Sequence, residues 1–216
     1  MSSPSLSEFF TAYGPEILRL TVEHLALVAI ALLGAGLLGL PLGITLHRRP
    51  RWKAAGLGTV NVIQTIPSLA LFALLIPLPW IGGIGKGTAL IALVLYSLLP
   101  IVSNTVTGLT AIDPVLREAG IAMGMTDRQL LWRVELPLAS GVILAGIRIA
   151  TVTAIGLATI AAAIGAGGLG MFIFRGLAML DTRLILAGAI PAALLALAAD
   201  ALLLLIERHV GRQGRP

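Results

Sequence analysis

The residues able to do chemistry in this chain are few, and most of them stand apart. His24, His47 and His209 show no metal-binding spacing and are expected at interface or loop positions. Cysteine is absent, which excludes thiol catalysis and a disulfide framework. Asp200 is the one acid well inside an apolar stretch, and no Gly-x-Ser-x-Gly occurs, so no catalytic residue is assigned and an enzyme is not expected. Gly165-Ala-Gly167-Gly168-Leu-Gly170 has the letters of a G-x-G-x-x-G dinucleotide loop. No strand precedes it and no acid follows at about 20 residues, so a flexible outer end to a helix fits better. Gly85-Lys86-Gly87 fails as a phosphate loop, because Trp80 stands where the first glycine is needed and Gly87 replaces the Ser or Thr. No ATP or metal site is expected in this chain.

The segment with the most organised polar chemistry runs from Asp113 to Pro137. Asp113-Pro114 supplies an N-cap acid and a proline at the first helical position, where its missing N–H costs nothing. A first short helix is expected from Pro114 to about Met123, with Val115, Ala119 and Ala122 on one face. Gly124 then suits the left-handed conformation that ends a helix. Thr126-Asp-Arg-Gln129 has the form of a capping box and restarts the chain as a second helix, with Leu130, Leu131 and Val134 as its apolar side and Arg128 and Arg133 exposed. Pro137 is expected to open the next membrane span. Capping alone shows that helices form, which an amphipathic connector on a membrane surface would satisfy as well as a docking site.

Polar side chains also form stripes within apolar stretches. Asn61, Gln64, Thr65 and Ser68 follow i, i+3, i+4, i+7, one helical face. Tyr96, Pro100, Ser103 and Thr107 make a second stripe, flanked by Ser97 and Asn104, and Arg148, Thr151 and Thr159 a third. Such groups are costly in lipid and face a cavity or a partner helix. Both a solute path and helix–helix hydrogen bonding account for them. Arg148 lies roughly 16 Å along its helix from Pro137 at 1.5 Å per residue, and is expected to pair with carbonyl groups or with Asp200.

The elements that must position these residues are membrane helices. Of 216 residues 57% are hydrophobic and 12% charged, with mean hydropathy +0.99. Soluble domains average roughly 25% charged. Five spans of about 20 apolar residues are expected: Leu25–Leu46, Val60–Leu78, Thr88–Thr110, Leu138–Ile164 and Leu184–Ile206. Asn61, Gln64 and Pro67 weaken the second, and Trp80 follows it as an interfacial anchor. Residues 1–20 lack a basic n-region and do not look like a cleaved signal peptide. Gly39-x-x-x-Gly43 fits close helix packing.

Arg48, Arg49, Arg51 and Lys53 occur without an acid, which predicts a cytoplasmic loop. The segment 111–135 and the tail 207–216 then share that side, ten basic residues against Arg19, Lys86, Arg175 and Arg183 outside. The N-terminus is thus expected outside and the C-terminus inside. An extracytoplasmic segment 1–24, a single transmembrane domain 25–206 with its charged segment at about 111–137, and a cytoplasmic tail 207–216 are expected. The net charge of +5 reflects this orientation, and no nucleic-acid partner is expected.

Glu118-Ala119-Gly120, then Gly124 six residues after the glutamate, then Val134-Glu135-Leu136-Pro137, resembles the EAA signature of the permeases of type I ABC importers. Gly120 stands where that pattern more often has alanine, and weakens the helix by roughly 1 kcal/mol. The likeness extends from about Val22 to Arg208. Ile63-Gln-Thr-Ile-Pro-Ser-Leu-Ala70, Leu95-Tyr-Ser-Leu-Leu-Pro-Ile101, Ala145-Gly-Ile-Arg-Ile-Ala150, Ile164 to Gly170 and Leu186-Ala-Gly-Ala-Ile-Pro191 are similar to the osmoprotectant branch, whose members carry glycine betaine, choline or carnitine.

The resemblance implies an all-α integral membrane permease subunit in the cell inner membrane, with a coupling helix that meets a cytoplasmic ATPase. Glu118, Ala119, Gly120, Gly124, Leu136 and Pro137 are the expected coupling residues. Asn61, Gln64, Ser68, Tyr96, Ser103, Asn104, Thr107, Arg148 and Thr151 are the expected solute path, and Gly165, Gly167, Gly168 and Gly170 the outer gate and receptor contact. Implied partners are two ATPase subunits carrying ATP and Mg²⁺, a second permease copy or paralogue, an extracytoplasmic solute-binding protein, and the lipid bilayer. An importer of another small solute such as an amino acid, or a non-transporting membrane scaffold, are the alternatives.

Overall fold

The structure is a computed structural model that describes residues 6–78 and 83–213. Trp80, the expected interfacial anchor, lies outside the described residues, as do positions 1–5 and 214–216. Among the described residues every regular element is a helix: α1 Leu6–Arg48, α2 Pro50–Thr65, α3 Ser68–Leu75, α4 Lys86–Thr110, α5 Pro114–Ala122, α6 Asp127–Leu130, α7 Leu136–Ala161, α8 Gly170–Met179 and α9 Thr182–Gln213. Four stretches are long and apolar enough to cross a bilayer: Thr11–Arg48, Lys86–Thr110, Asp127–Ile164 and Thr182–Val210. The α2–α3 pair makes a fifth if the two pieces count together.

Two expected spans take a different form. The helix carrying the first begins well before Leu25: α1 runs unbroken through Glu23 and His24, whose side chains find partners described below. The second is not one helix. Ile66 is extended, at φ −68° and ψ 127°, as the residue before a proline favours, and Pro67 follows at ψ 135°. The chain turns by 97° there. Ser68 therefore leaves the helical face that Asn61, Gln64 and Thr65 share on α2.

The chain divides into two compact units. One contains Met1–Ala31, Pro67–Leu93 and Thr153–Leu197. Its core packs Leu20 of α1 with Leu169, Phe172 of α8, and Leu184 and Ala192 of α9. Tyr13 meets the Phe172 ring edge-on at 6.0 Å, and Arg175 lies 5.3 Å from the same ring while hydrogen-bonding Glu16 at 2.9 and 3.2 Å. The Glu16 carboxylate raises the Arg175 pKa above its ordinary value, chiefly through that hydrogen bond.

The other unit contains Leu32–Ile66, Val94–Val152 and Ala198–Pro216. Small residues let α1, α4 and α7 approach closely in it. A Cβ on Gly39 would stand 2.9 Å from Ile101 Cγ2, one on Gly43 2.6 Å from Thr105 Cβ, and one on Gly146 2.6 Å from the Pro100 carbonyl oxygen. Leu109, Leu131, Ala139 and Ile143 form the part of its core that supports the charged segment.

Candidate functional site

The charged segment folds as its local signals dictate. Asp113 Oδ1 accepts from Val115 N at 2.9 Å at the start of α5. Gly124 takes φ +78° beyond its end. Thr126 and Gln129 close the capping box of α6, with Gln129 Oε1 accepting from Thr126 N at 2.9 Å. The two short helices make an elbow whose inner joint is Gly120. That glycine is buried, and a Cβ there would lie 2.6 Å from Leu130 Cδ1, so the departure from alanine makes room for α6. Ala119 and Glu118 stay exposed, and so do Val115, Leu116, Ile121 and Met123, an apolar outer face with no partner among the described residues.

Pro137 does not open a new helix. A π-helical turn, Leu131–Glu135, joins α6 directly to α7. Pro137 lacks an N–H and would crowd the carbonyl four residues back in a regular α-helix; the wider turn just before it relieves both demands. Leu136 N bonds to Leu131 O, five residues earlier. Leu136 is half-buried and Pro137 exposed.

That turn also delivers the residue that fixes the elbow. Glu135 is 3% exposed, and its carboxylate lies 3.6 Å from Arg48 Nη2 at the end of α1 and 3.4 Å from Arg117 Nε on α5. Arg48 Nη2 also donates to the Asp127 carbonyl at 3.0 Å. One buried acid thus ties a membrane helix, both arms of the elbow and the start of α7 together. A buried carboxylate is tolerated only when paired in this way. The sequence marks Glu135 as part of the EAA-like signature and Arg48 as part of the basic loop, but gives no sign that Arg117 joins them. The available signal was an acid between Val134 and Leu136, on an otherwise apolar edge.

Arg148 sits where Asp200 can reach it, with Nη1 donating to Asp200 Oδ1 at 3.0 Å. Its Nε also donates to Glu207 Oε2 at 3.1 Å. Glu207 lies just beyond the expected end of the fifth span at Ile206, on α9, which continues to Gln213.

The polar stripes separate into two groups. The Tyr96 hydroxyl donates to the Ile66 carbonyl, and Asn104 Nδ2 donates to the Pro100 carbonyl at 2.8 Å beside Gly146, so both serve helix packing. Ser103 makes a long bond to the same carbonyl, 3.5 Å, and buried Thr151 bonds Ile147 O of its own helix. Asn61 and Thr107 are exposed, and Gln64 and Ser68 half-buried.

The glycines at the end of α7 form a tight turn. Gly165, Gly167 and Gly168 all have positive φ, +76°, +84° and +76°. Glu23 of α1 accepts from Gly168 N at 3.2 Å and pairs with Lys86. His24, fully buried, lies against Gly168 and engages the Ile155 carbonyl at 3.2 Å, a helix-packing role. A Cβ on Gly167 would meet the Glu23 carboxylate at 2.6 Å, and one on Gly170 would overlap the Thr159 carbonyl. A nucleotide phosphate could not take the place that Glu23 holds.

Comparison with known proteins covers nearly the whole chain. Residues 15–212 match the family of binding-protein-dependent transport system inner membrane components. The chain is 43% identical to the choline transport system permease protein OpuBB of Bacillus subtilis, over 96% of this chain and 94% of that one. It is 50% identical to the osmoprotectant import permease protein OsmW of Salmonella typhimurium, over 85% and 86%. A chain of the MetNI methionine ABC transporter, solved in an inward-facing conformation, superposes with TM-score 0.82 at 25% identity, covering 97% of this chain and 99% of that one. The chain therefore belongs to the binding-protein-dependent transport system inner membrane components, as a multi-pass permease subunit of an ABC importer.

Proposed function

We propose that this chain provides the membrane passage for quaternary-ammonium osmoprotectants such as glycine betaine, choline and carnitine. The names of its relatives at 43 to 50% identity support that class of solute. The elbow at α5 and α6 is the seat of a cytoplasmic ATPase subunit, and two such subunits, each with ATP and Mg²⁺, serve two facing permeases, identical or paralogous. The basic residues at 48–53 support a cytoplasmic elbow side, with the N-terminus outside and the C-terminus inside. A solute-loaded receptor docks outside near Gly165–Gly170. Asn61, Gln64, Ser68, Ser103, Thr107 and Thr151 line the path, with Tyr96, Asn104 and Arg148 shaping its walls.

The observation that carries this reading is the elbow itself. Its inner face is clamped through Glu135 to α1 and α7, while its outer face offers Glu118, Ala119 and exposed apolar side chains. An ATPase that grips that face differently with and without ATP moves α7 with it, and only such a difference can drive the alternation of the path. Solute selection falls mainly to the receptor, because quaternary ammonium groups are recognised by aromatic cages and this chain has few aromatic residues, 5% in all. The test is uptake of labelled glycine betaine, choline and carnitine by the reconstituted complex with its receptor and ATPase. Receptor-dependent accumulation of at least one is expected. Uptake of an amino acid alone would move the solute class, and ATP-independent behaviour with no uptake would leave a scaffold.

A further inference from the structure

Two concavities on one unit share Trp132, which is 63% exposed. The larger, about 710 Å³, runs between α1 and the start of α7 and is walled by Leu37, Leu40, Ile44, Leu136, Ile143 and Leu144, among others. Its size falls in the range of ligand-binding clefts. The two hydroxyls along it, Thr45 and Ser140, donate to carbonyls of their own helices, Pro41 at 2.7 Å and Pro137 at 2.6 Å. Apart from the Trp132 indole at its end, the groove offers a polar occupant no donor, so such an occupant would lose water there. The smaller, about 310 Å³, lies on the other side of Trp132 and is lined by Thr126, Arg128, Gln129 and Arg133. Gln129 Oε1 is occupied by the capping box. Among the described residues Arg128 and Arg133 make no ion pair, whereas Arg48, Arg117, Arg148 and Arg175 all do.

The helices that bound the larger groove both qualify as membrane spans by length and composition, which brings acyl chains within its reach. Tryptophan favours the depth where hydrocarbon gives way to headgroups. A groove of hydrocarbon, a tryptophan and two free guanidiniums in sequence match the parts of one molecule, in their order. We infer that this surface is a binding site for an anionic phospholipid. One acyl chain lies in the groove against Leu40 and Leu136, the glycerol level meets Trp132, and the phosphate is held by Arg128 and Arg133. Arginine suits that task because its planar fork donates two parallel hydrogen bonds to phosphate oxygens. A zwitterionic lipid brings an ammonium group towards the same two cations and is held less well. The site abuts the π-helical turn that joins the elbow to α7, so an occupant would brace that joint from the lipid side. The inference concerns this surface alone and does not depend on which solute is carried.

The test is fluorescence quenching in the assembled transporter, reconstituted into phosphatidylcholine nanodiscs with graded amounts of lipid brominated on its acyl chains. The Trp132 signal is the difference between the unaltered complex and one carrying Trp132→Phe. Brominated phosphatidylglycerol is expected to quench it at mole fractions at least about five-fold lower than brominated phosphatidylcholine requires, since each basic residue near a surface adds roughly five-fold preference for anionic lipid. Arg128→Gln with Arg133→Gln should bring the two lipids close to equality. About 0.5 M salt should do the same in the unaltered complex, which keeps the test decisive if the double variant does not assemble. Equal quenching by both lipids would overturn the proposal. So would a preference that survives both salt and the substitutions, or the absence of quenching by either lipid, which would mean that a partner subunit covers Trp132.

Discussion

Glu23 and Glu135 are two carboxylates placed inside helix packing, and they are held differently. Glu23 pairs with Lys86 but also meets backbone: it accepts from Gly168 N, and its neighbours Gly167 and Gly168 occupy left-handed conformations that bring the chain against α1. Glu135 faces side chains, the guanidiniums of Arg48 and Arg117, which reach it from two other helices. The first arrangement fixes a shape that no side chain can enter. The second is a charge-based joint, which tolerates changes of shape better than changes of charge. A turn that must keep one form and an elbow that must transmit movement call for these different constructions.

The largest effect is expected at the glycine turn. Gly170→Ala would drive a methyl into the Thr159 carbonyl, at a cost of about 3 kcal/mol or more. The thermal midpoint of the solubilised permease should fall by roughly 6–12 °C, measured by loss of the monodisperse species on heating. A smaller loss than at Gly124→Ala, where no atom lies within 4 Å of the new methyl, would remove the claim that this turn is set by backbone.

At the elbow, Glu135→Ala should cost about 2 kcal/mol. The full penalty for breaking a buried pair is larger, but Arg48 and Arg117 are partly solvated and recover hydration. Glu135→Gln keeps the shape and one acceptor, and about half that loss is expected. Equal losses in the two variants would mean that volume rather than charge holds the joint.

Next in size is the pairing of Arg148. Arg148→Asp and Asp200→Arg should each destabilise, and their combination should recover part of the loss, with a coupling of about 1 kcal/mol in a double-mutant cycle. Recovery stays partial because the new aspartate would face Glu207, which the present arginine satisfies. No coupling would show that Glu207 alone holds Arg148.

The smallest effects belong to the caps. Asp113→Ala and Thr126→Ala should each cost about 1 kcal/mol, seen as a lower midpoint with the spans intact.

The caps are also what the amino-acid sequence disclosed most fully, because a cap depends on residues three apart. Asp113-Pro114, Gly124 and Thr126-Asp-Arg-Gln129 each took the conformation that their local chemistry demands. Gly39 and Gly43 packed α1 closely against α4, again from a local pattern. What stayed hidden depends on distant partners. Glu23 and His24 looked like the boundary of a span, since an acid and an imidazole in a helix are costly until Gly168, Lys86 and Ile155 are supplied from elsewhere in the chain. Pro67 was visible as an interruption but not as a turn that separates Ser68 from the Asn61–Gln64 face. The π-helical turn answers Pro137 together with the anchoring of Glu135, and neither cause alone marks it in the sequence.

The central claim is that the elbow's outer face receives the ATPase and passes its movement to α7. Glu118 is exposed, so Glu118→Lys alters that face without disturbing its packing; the space around Gly124 is open, but its φ of +78° is strained for an aspartate, so Gly124→Asp also perturbs the backbone of the elbow. Receptor-stimulated ATP hydrolysis by the reconstituted complex measures the claim most directly. Both variants should insert normally and lose the stimulation by receptor; stimulation at the unaltered level in both would contradict the account.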